Sequence, residues 1–310
     1  MVSLGFLMLL RFLVLVQGYI FAPIENVCVM DTLKEAFYAK YPENHRILGY
    51  FEEANGCECT WENLSKVGLH KYVAFLGTRL APNGVRSYCS KLKSVMTSYN
   101  EEVELPKDYE KILNVKHDAS EHVYLNDEEI RRIIVYQPTK KAERVVKNWF
   151  LIGCLTGARH SDYIRFTTRN IRDGELHYVS VKTHINTIIP LCPYVEELIR
   201  ENEKNGYNEL RYSDVWFNKN LRRICKCSGI TEEVSLYTGG KFQCGEKWRF
   251  VASHCARRSF ATNLYRNGVD IYTISRLCGH SSVEMTKHYI CCGPMVNDNV
   301  MAYLNGFIAA

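Results

Sequence analysis

The chain has 310 residues and a formal net charge of +5, a length that suits one large domain or two ordinary ones. Hydrophobic residues make up 46% of the chain and charged residues 24%, so the composition excludes an intrinsically disordered protein. The 13 cysteines are scattered without a C-x-x-C pair, which favours reduced thiols in a cytoplasmic protein over a zinc site or a disulfide framework.

The first 29 residues are strongly apolar, and three interpretations of them stay open. The first interpretation is a signal peptide or membrane anchor at residues 2–21, and the second is an extra packed helix. The third is that translation starts at Met30. Arg11 would cost about 2.5–3.5 kcal/mol at the centre of a membrane helix, and neither a basic segment nor an A-x-A cleavage site accompanies the apolar run. We therefore favour a start at Met30, where residues 30–34 have the pattern of a helix start, and we do not expect a membrane partner.

Residues 30–106 are predicted to form a small helical domain. Apolar residues recur at helical spacing over 61–76 and again over 85–99, and Pro82 suits the first turn of the second helix. Between residues 60 and 99 there are six lysines or arginines and one acidic residue, which indicates either a basic DNA-binding surface or two ordinary solvated helix faces. The candidate DNA-binding residues are Lys66, Lys71, Arg86, Lys91 and Lys93.

Residues 107–124 are predicted to be a linker, and residues 125–296 a domain that is mainly α with small β-hairpins. Asn126 has the pattern of an N-cap, with Glu129 three residues later as its capping-box partner. The periodicity of the apolar residues predicts the remaining elements. Helices are expected at 142–155, 194–205, 213–227, 254–267 and 271–278, and hairpins across 176–191 and 234–250. A short helix should lead to Tyr289, and residues 297–310 should form a tail helix with one apolar face.

Two short segments of this domain combine cationic and proton-transferring side chains. Arg159 follows closely on the glycine that should end the helix at 142–155, and its planar guanidinium suits a phosphate. His254 and Arg257 lie three residues apart at the start of another helix, so they share a face, and their chemistry suits phosphoryl transfer. Arg258 should instead point toward solvent or a carboxylate.

A third segment pairs a histidine with a tyrosine. The Gly279-His280 pair opens a short helix, and Tyr289 follows nine residues after the histidine. A free tyrosine has a pKa near 10, so it is a poor nucleophile at neutral pH unless positive charge surrounds it. The occurrence of all three segments in this order is a far more specific indication of function than any one segment alone.

These segments resemble the three signature boxes of the tyrosine recombinases, the phage integrase family. The stretch LTGARHSD resembles the first-arginine box, SHCARRSFATNL resembles the H-x-x-R box, and ISRLCGHSSVEMTKHYI resembles the G-H…Tyr box. The resemblance covers residues 125–290 as a catalytic domain, and residues 60–105 are similar in pattern to the family's core-binding domain. The stretch HVYLNDEEIRRII is similar in style to integrases of Bacteroides-type phages and mobile elements.

The resemblance implies an enzyme that cleaves and rejoins DNA through a 3′-phosphotyrosine intermediate. Arg159 and Arg257 would hold the non-bridging oxygens of the scissile phosphate and stabilise the transition state. His254 would act beside them as a proton-transfer or hydrogen-bonding group, and His280 would hydrogen-bond the same phosphate. Tyr289 would attack phosphorus and release a 5′-hydroxyl.

The family also places a lysine on a β-hairpin as general acid for the leaving oxygen. Lys182 is the candidate for that role, because it lies at the end of the first predicted strand and no other lysine occurs between residues 159 and 194. The sequence has Lys182-Thr183-His184 where the family often has Lys-Thr-Gly, which changes the turn but keeps the lysine. Asp162 is expected to orient an arginine or a histidine.

The resemblance also implies the partners. We expect double-stranded DNA at specific recombination sites, self-association as a tetramer on paired sites, and neither a metal nor another cofactor. The apolar face of the tail at 297–310 would dock on a neighbouring protomer. Two other functions are compatible with the sequence: strand relaxation by a type IB topoisomerase-like enzyme, and DNA binding without catalysis.

Overall fold

The computed structural model describes residues 32–291, which form two units. Residues up to 117 belong to the first unit, and residues from 118 onward belong to the second. The apolar segment at 1–29 and the tail helix expected at 297–310 both lie outside the described residues. Within the described part of the chain, no helix is both long enough and apolar enough to span a membrane.

The first unit is helical. Its helices are α1 Leu33–Lys40, α2 Arg46–Asn55, α3 Lys66–Arg79, α4 Pro82–Ser98 and α5 Tyr109–Ile112. The two helices expected between residues 61 and 99 are confirmed as α3 and α4, with Pro82 in the first turn of α4. α1 confirms the helix start expected at residues 30–34, whereas the sequence does not predict α2. α1 begins with a capping box, in which the Glu35 carboxylate accepts from the Thr32 N–H at 2.9 Å.

Two segments of this unit differ from the expectation. Trp61 and Leu64 precede α3, because the Ser65 hydroxyl caps that helix by accepting a backbone N–H of its first turn at 3.0 Å. Both side chains are nevertheless buried in the core of the unit. Residues 109–112, expected in the linker, form α5, and the fully buried Leu113 follows as its C-cap residue. The first unit therefore extends several residues beyond its expected end.

The second unit is mainly α-helical with small antiparallel sheets, as expected. Its helices are α6 Asp127–Val135, α7 Lys141–Thr156, α8 His160–Tyr163, α9 Pro193–Lys204, α10 Asp214–Cys227, α11 Ser253–Arg266, α12 Ile271–Leu277 and α13 Val283–Lys287. Its strands are β1 Ile171–Arg172, β2 Glu175–Val179 and β3 Asn186–Pro190 in one sheet, and β4 Glu233–Thr238 and β5 Lys241–Glu246 in the other. Each helix and hairpin expected between residues 126 and 289 is present, with two differences in bounds. β5 ends at Glu246 and a 3-10 turn occupies the rest of the segment expected in the hairpin, while α13 begins at Val283 and not at the Gly279-His280 pair.

α7 is the central helix of the second unit and is buried along most of its length. Large side chains such as Trp149 and Phe150 are enclosed completely, since α9, α10 and α11 pack against this helix. α11 approaches closely because α7 carries a glycine at the contact. A Cβ on Gly153 would stand 2.6 Å from the Tyr163 ring and 3.0 Å from the Ala256 side chain. This packing brings the end of α7 next to the beginning of α11, where the first two motifs lie.

A capping box and a buried ion pair fix the start of the second unit. Asn126 and Glu129 form the predicted capping box of α6, with side-chain to backbone distances of 2.8 and 2.9 Å. The same Glu129 carboxylate accepts a hydrogen bond from the Lys247 ammonium at 2.7 Å, and both side chains are almost completely buried. Because Lys247 directly follows β5, this pair ties α6 to the second hairpin.

Candidate active site

Arg159 lies in the loop that follows α7. The helix ends at Gly157, whose φ of +66° is the left-handed conformation that glycine adopts without strain. Two residues later, Arg159 is the N-cap residue of α8 and is 6% exposed. Its Nη1 donates to the Ser180 hydroxyl at 3.1 Å. Burial, and then the neighbouring charge of Arg257, lower the pKa of the Arg159 guanidinium.

Asp162 connects this loop to the β2–β3 hairpin. Its carboxylate accepts from the Ser180 hydroxyl at 3.0 Å and from the Val181 N–H at 2.9 Å. Because the Ser180 oxygen also accepts from Arg159, the aspartate reaches the arginine through this serine. The motif spacing does not reveal Ser180, since nothing in the sequence shows that the hairpin packs against the loop after α7.

Arg257 joins the loop after α7 to the loop after α12. It lies near the start of α11 and is 1% exposed. Its Nη1 donates to the carbonyl of Gly157 at 2.7 Å, and its Nη2 donates to the carbonyl of Cys278. Its Nε–H is buried and has no hydrogen-bond partner among the described residues. The first two motifs and the start of the third are therefore assembled around one guanidinium.

Tyr289 and His280 stack on each other beside Arg257. Their ring centroids are 4.9 Å apart, and the guanidinium carbon of Arg257 lies 5.3 Å from the centroid of the tyrosine ring. His280 is 9% exposed; its Nδ1 lies 2.9 Å from the Thr286 hydroxyl, and its Nε2 is buried without a hydrogen-bond partner in the described part of the chain. The pKa of His280 is lowered to about 3, first by burial and then by the charges of Arg257 and Arg159.

His254 and Lys182 lie at the exposed edge of this cluster. His254 is the second residue of α11. β2 ends at Val179, so Lys182 stands in the turn after the strand and not at the strand's end as expected. The strand stops early because the Val181 N–H donates to the Asp162 carboxylate and the Ser180 carbonyl accepts from the His184 N–H at 2.8 Å within the turn. Partial desolvation, and then the charges of Arg258 and Lys182, lower the pKa of His254, which places the lysine within electrostatic reach of the histidine.

The sequence predicts that Arg258 points toward solvent or a carboxylate, and this prediction is wrong. Its Nη1 donates to the carbonyl of His288 at 2.8 Å, and its guanidinium carbon lies 5.2 Å from the centroid of the Tyr289 ring. The helical spacing of α11 gives the direction of this side chain, but it does not show that the segment after α13 packs back onto α11. The structure therefore adds Arg258 to the groups around the tyrosine.

His122 is a second group that the sequence does not mark. It precedes all three motifs and lies near the start of the second unit. Its pKa is lowered to about 4, first by desolvation and then by the charges of Arg258 and His254. These charges place His122 near the exposed edge of the cluster.

The five candidate DNA-binding residues of the first unit differ in their surroundings. Lys71 and Arg86 are exposed, and Lys93 is half-buried. Lys66 lies 3.4 Å from an aspartate carboxylate, an exposed contact of small energetic value. Lys91 donates to an asparagine side chain at 2.6 Å and lies over a tyrosine ring. The charges of Lys71 and Arg86 are therefore accessible on the surface of that unit.

The lowered pKa of His280 predicts that the stability of the second unit depends on pH. The unfolded chain binds a proton on this imidazole below pH 6.5, whereas the folded protein does so near pH 3. Between these values the unfolded state holds the extra proton. The free energy of unfolding therefore decreases as the pH is lowered, by at most about 1.4 kcal/mol per pH unit. His280→Gln removes this titration. Urea unfolding at several pH values within this window should therefore show a shallower pH dependence for the variant.

A matched control is His184→Asn, which removes an exposed imidazole from a turn position with a φ of +54° that asparagine tolerates. This variant should keep the pH dependence of the wild type. Equal pH dependence for wild type and His280→Gln would contradict the prediction, because it would mean that His280 takes up its proton as readily in the folded protein as in the unfolded chain.

Comparison with known proteins identifies the family. Residues 123–292 match the model of the phage integrase family. The integrase of Escherichia phage P2 is 28% identical over 181 residues, which are 58% of this chain and 46% of that protein. Tyrosine recombinase XerA of Thermococcus onnurineus is 29% identical over 170 residues, which are 53% of this chain and 56% of that protein. The chain spans about half the length of the curated relatives it matches.

Solved structures share the fold. The Tn1549 transposon integrase in complex with transposon right-end DNA has a TM-score of 0.61 at 15% identity, covering 90% of this chain and 100% of that chain. A lambda integrase dimer bound to a COC′ core site has a TM-score of 0.61 at 15% identity, covering 86% of this chain and 98% of that chain. The family model covers more than half of the chain and includes all three motifs. The chain therefore belongs to the phage integrase family, the tyrosine recombinases.

Proposed function

We propose that this protein is a site-specific DNA recombinase, an integrase, in which Tyr289 forms a 3′-phosphotyrosine with the cleaved strand. The observation that carries the proposal is the surroundings of this tyrosine. The guanidinium carbons of Arg257 and Arg258 lie within 5.3 Å of its ring centroid, and the His280 ring stacks on it at 4.9 Å. Such a concentration of positive charge favours a phosphate and the negative charge that develops during phosphoryl transfer. Membership of the phage integrase family supports the same activity.

Arg159 and Arg257 are the proposed ligands of the scissile phosphate. A guanidinium has five N–H donors, and Arg257 gives one from each Nη to a backbone carbonyl. Its remaining donors, including the buried Nε–H, would bind the non-bridging oxygens. Because both arginines are almost completely buried, water screens their charges little, which strengthens their effect on the pentavalent transition state.

The proton transfers are assigned to the exposed edge of the site. The Tyr289 oxygen bonds to phosphorus, and the bond from phosphorus to the 5′-oxygen breaks. His254 is neutral at pH 7 because its pKa is lowered, so it takes the proton of the tyrosine. Lys182 gives a proton to the leaving 5′-oxygen. His280, which is neutral for the same reason as His254, contributes a hydrogen bond to the phosphate. Rejoining reverses these steps with the 5′-hydroxyl of another strand.

The substrate that fits this chemistry is double-stranded DNA at paired recombination sites. We assign residues 30–117 to a core-binding domain whose basic helices hold the duplex, and residues 118–296 to the catalytic domain. The enzyme would act as a tetramer on these paired sites. It would serve a phage or another mobile element of the Bacteroides type, in the cytoplasm, without a metal or other cofactor.

Covalent trapping tests this proposal. Purified protein is incubated with randomly nicked fragments of the genomic DNA around its gene, so that a cleaved strand diffuses away and the adduct persists. Denaturing gels should show a DNA-linked protein band for wild type and for Tyr272→Phe, which removes an exposed tyrosine of the same unit. Tyr289→Phe should give no such band, because phenylalanine lacks the attacking oxygen. Mass spectrometry of the wild-type adduct should place the nucleotide on Tyr289.

Other outcomes would favour other functions. An adduct on a different residue would contradict the role of Tyr289. Salt-sensitive DNA binding without an adduct would favour a DNA-binding protein without catalysis. Relaxation of supercoiled plasmid without exchange between two sites would favour an enzyme of the type IB topoisomerase kind.

A further inference from the structure

Helix α11 carries two side chains that hold the backbone on both sides of Tyr289. Arg258 donates to the carbonyl of His288 at 2.8 Å, and the Thr262 hydroxyl donates to the carbonyl of Tyr289 at 3.3 Å. Arg258 and Thr262 are four residues apart, so they lie on one face of the helix. The segment that contains the proposed nucleophile is therefore fastened to the helix that bears the H-x-x-R motif.

Arg258 is the stronger of these two anchors. A hydrogen bond from a guanidinium to a carbonyl is charge-assisted and is about twice as strong as a neutral one. The same guanidinium carbon lies 5.2 Å from the centroid of the Tyr289 ring, so one side chain contacts both the neighbouring backbone and the ring. Local structure holds this segment weakly, because α13 is a helix of five residues that ends at Lys287.

We propose that Arg258 is a positioning residue that fixes Tyr289 against Arg257 and His280 before the tyrosine attacks the phosphate, an inference that rests on the proposed function. The two adjacent arginines have different roles in this proposal. Arg257 is buried and binds the phosphate, whereas Arg258 is half-buried and holds the segment of the nucleophile. Without this anchor, only the weaker Thr262 hydrogen bond and the five-residue α13 would hold the backbone of the tyrosine in position. A displacement of about 1 Å at a reacting atom slows a reaction by about 100-fold.

The charge of Arg258 also acts on the proposed base. Arg258, Lys182, Arg257 and His160 lower the pKa of His254 by their charges, and the contribution of Arg258 is the largest of these. His122 is a further titratable neighbour, because the charge of His254 lowers the pKa of His122. Loss of this charge should raise the pKa of His254, so the neutral imidazole would be lost at a higher pH as the solution is acidified. The acid limb of the cleavage rate should therefore move to higher pH. If Arg258 only held the backbone, its loss would leave the acid limb of the pH–rate profile at the same pH.

Three variants test the positioning role: Arg258→Ala, Arg258→Lys and the matched control Arg132→Ala. Arg132 also donates to a backbone carbonyl, at 2.6 Å, but from α6. The substrate is the duplex that wild-type protein cleaves, in single turnover with the protein in excess. Arg258→Ala should cleave about 10- to 100-fold more slowly with unchanged DNA affinity. Arg258→Lys should recover part of the rate and keep the acid limb in place, because it retains the charge but not the planar fork. Arg132→Ala should cleave as wild type does.

Hydrogen–deuterium exchange without DNA gives an independent measurement. The amides of residues 286–291 should exchange about 10- to 100-fold faster in Arg258→Ala, while the amides of α7 keep their wild-type rates. An unchanged exchange rate or an unchanged cleavage rate in this variant would overturn the positioning role. A loss of DNA affinity that explains the whole loss of rate would overturn it too, since Arg258 would then be a phosphate contact. If wild type cleaves no DNA, the proposed function fails, and the exchange rates still decide whether Arg258 anchors the segment.

Discussion

Arg257→Ala is expected to lower the free energy of unfolding by about 2–6 kcal/mol and to slow DNA cleavage by at least about 100-fold. The loss of stability follows from the buried carbonyls of Gly157 and Cys278, which would both lose a charged donor. A buried polar group without a partner costs about 1–3 kcal/mol. The loss of rate follows from the position of the guanidinium, 5.3 Å from the centroid of the Tyr289 ring, where the proposed reaction would build negative charge on the phosphate.

Two further variants make this prediction specific. Arg257→Lys keeps the charge but presents one ammonium, so it should recover stability and rate incompletely. Arg222→Ala is the matched control, because Arg222 is exposed and donates to one carbonyl, that of Val251, at 3.1 Å. It should change stability by less than about 1 kcal/mol. Urea unfolding and single-turnover cleavage measure the two effects. An Arg257→Ala protein as stable as Arg222→Ala would contradict the structural role of the two carbonyl contacts.

Gly157→Ala is expected to destabilise the protein by about 2–5 kcal/mol and to reduce cleavage as well. The φ of +66° costs a residue with a Cβ about 1–2 kcal/mol, and the added Cβ would stand 2.3 Å from a ring carbon of Phe260. Relief of this contact must move the loop or the ring, which adds about 1–3 kcal/mol. Because the Gly157 carbonyl accepts from Arg257, a shift of the loop also displaces this guanidinium, the proposed phosphate ligand.

Gly206→Ala isolates the backbone component of that effect. Gly206 has a φ of +67°, and a Cβ there would meet no atom within 4 Å. Thermal unfolding should therefore show a loss of about 1–2 kcal/mol for this control, less than for Gly157→Ala. Adding Phe260→Leu to Gly157→Ala should give a double variant more stable than the sum of the single changes predicts. Equal destabilisation by the two glycine substitutions would mean that the contact with Phe260 is relieved without cost.

The parts of the fold that short-range patterns control could be predicted from the sequence. The capping box of Asn126 and Glu129 depends on residues three apart, and the structure places both bonds as the pattern predicts. The stop of α7 at Gly157 depends on one left-handed residue. The three motifs also converge as the resemblance implies, since Arg159, Arg257, His280 and Tyr289 lie together. The roles of these residues stay proposals until cleavage is measured.

Features that depend on packing between distant segments could not be predicted. The first hairpin strand is expected to reach the residue before Lys182, but the bond from the Val181 N–H to Asp162 and the turn closed between Ser180 and His184 end it at Val179. Arg258 shows the same limit, since its partner carbonyl is 30 residues away in sequence. α2 has no side-chain capping bond at its N-cap residue, and its local signal is limited to the apolar residues Ile47, Leu48 and Phe51 and the left-handed Gly56 after its end.

The position of Arg257 between the carbonyls of Gly157 and Cys278 bears on how such a chain could decay in evolution. A lineage that no longer needs recombination can lose the oxygen of Tyr289 with little harm to folding, since that residue is half-buried after a one-turn helix. It cannot lose Arg257 without weakening the core of the domain. Inactive descendants that still bind their DNA sites should therefore retain this arginine after the tyrosine has been replaced. In such proteins the arginine would be a remnant of the lost catalytic activity.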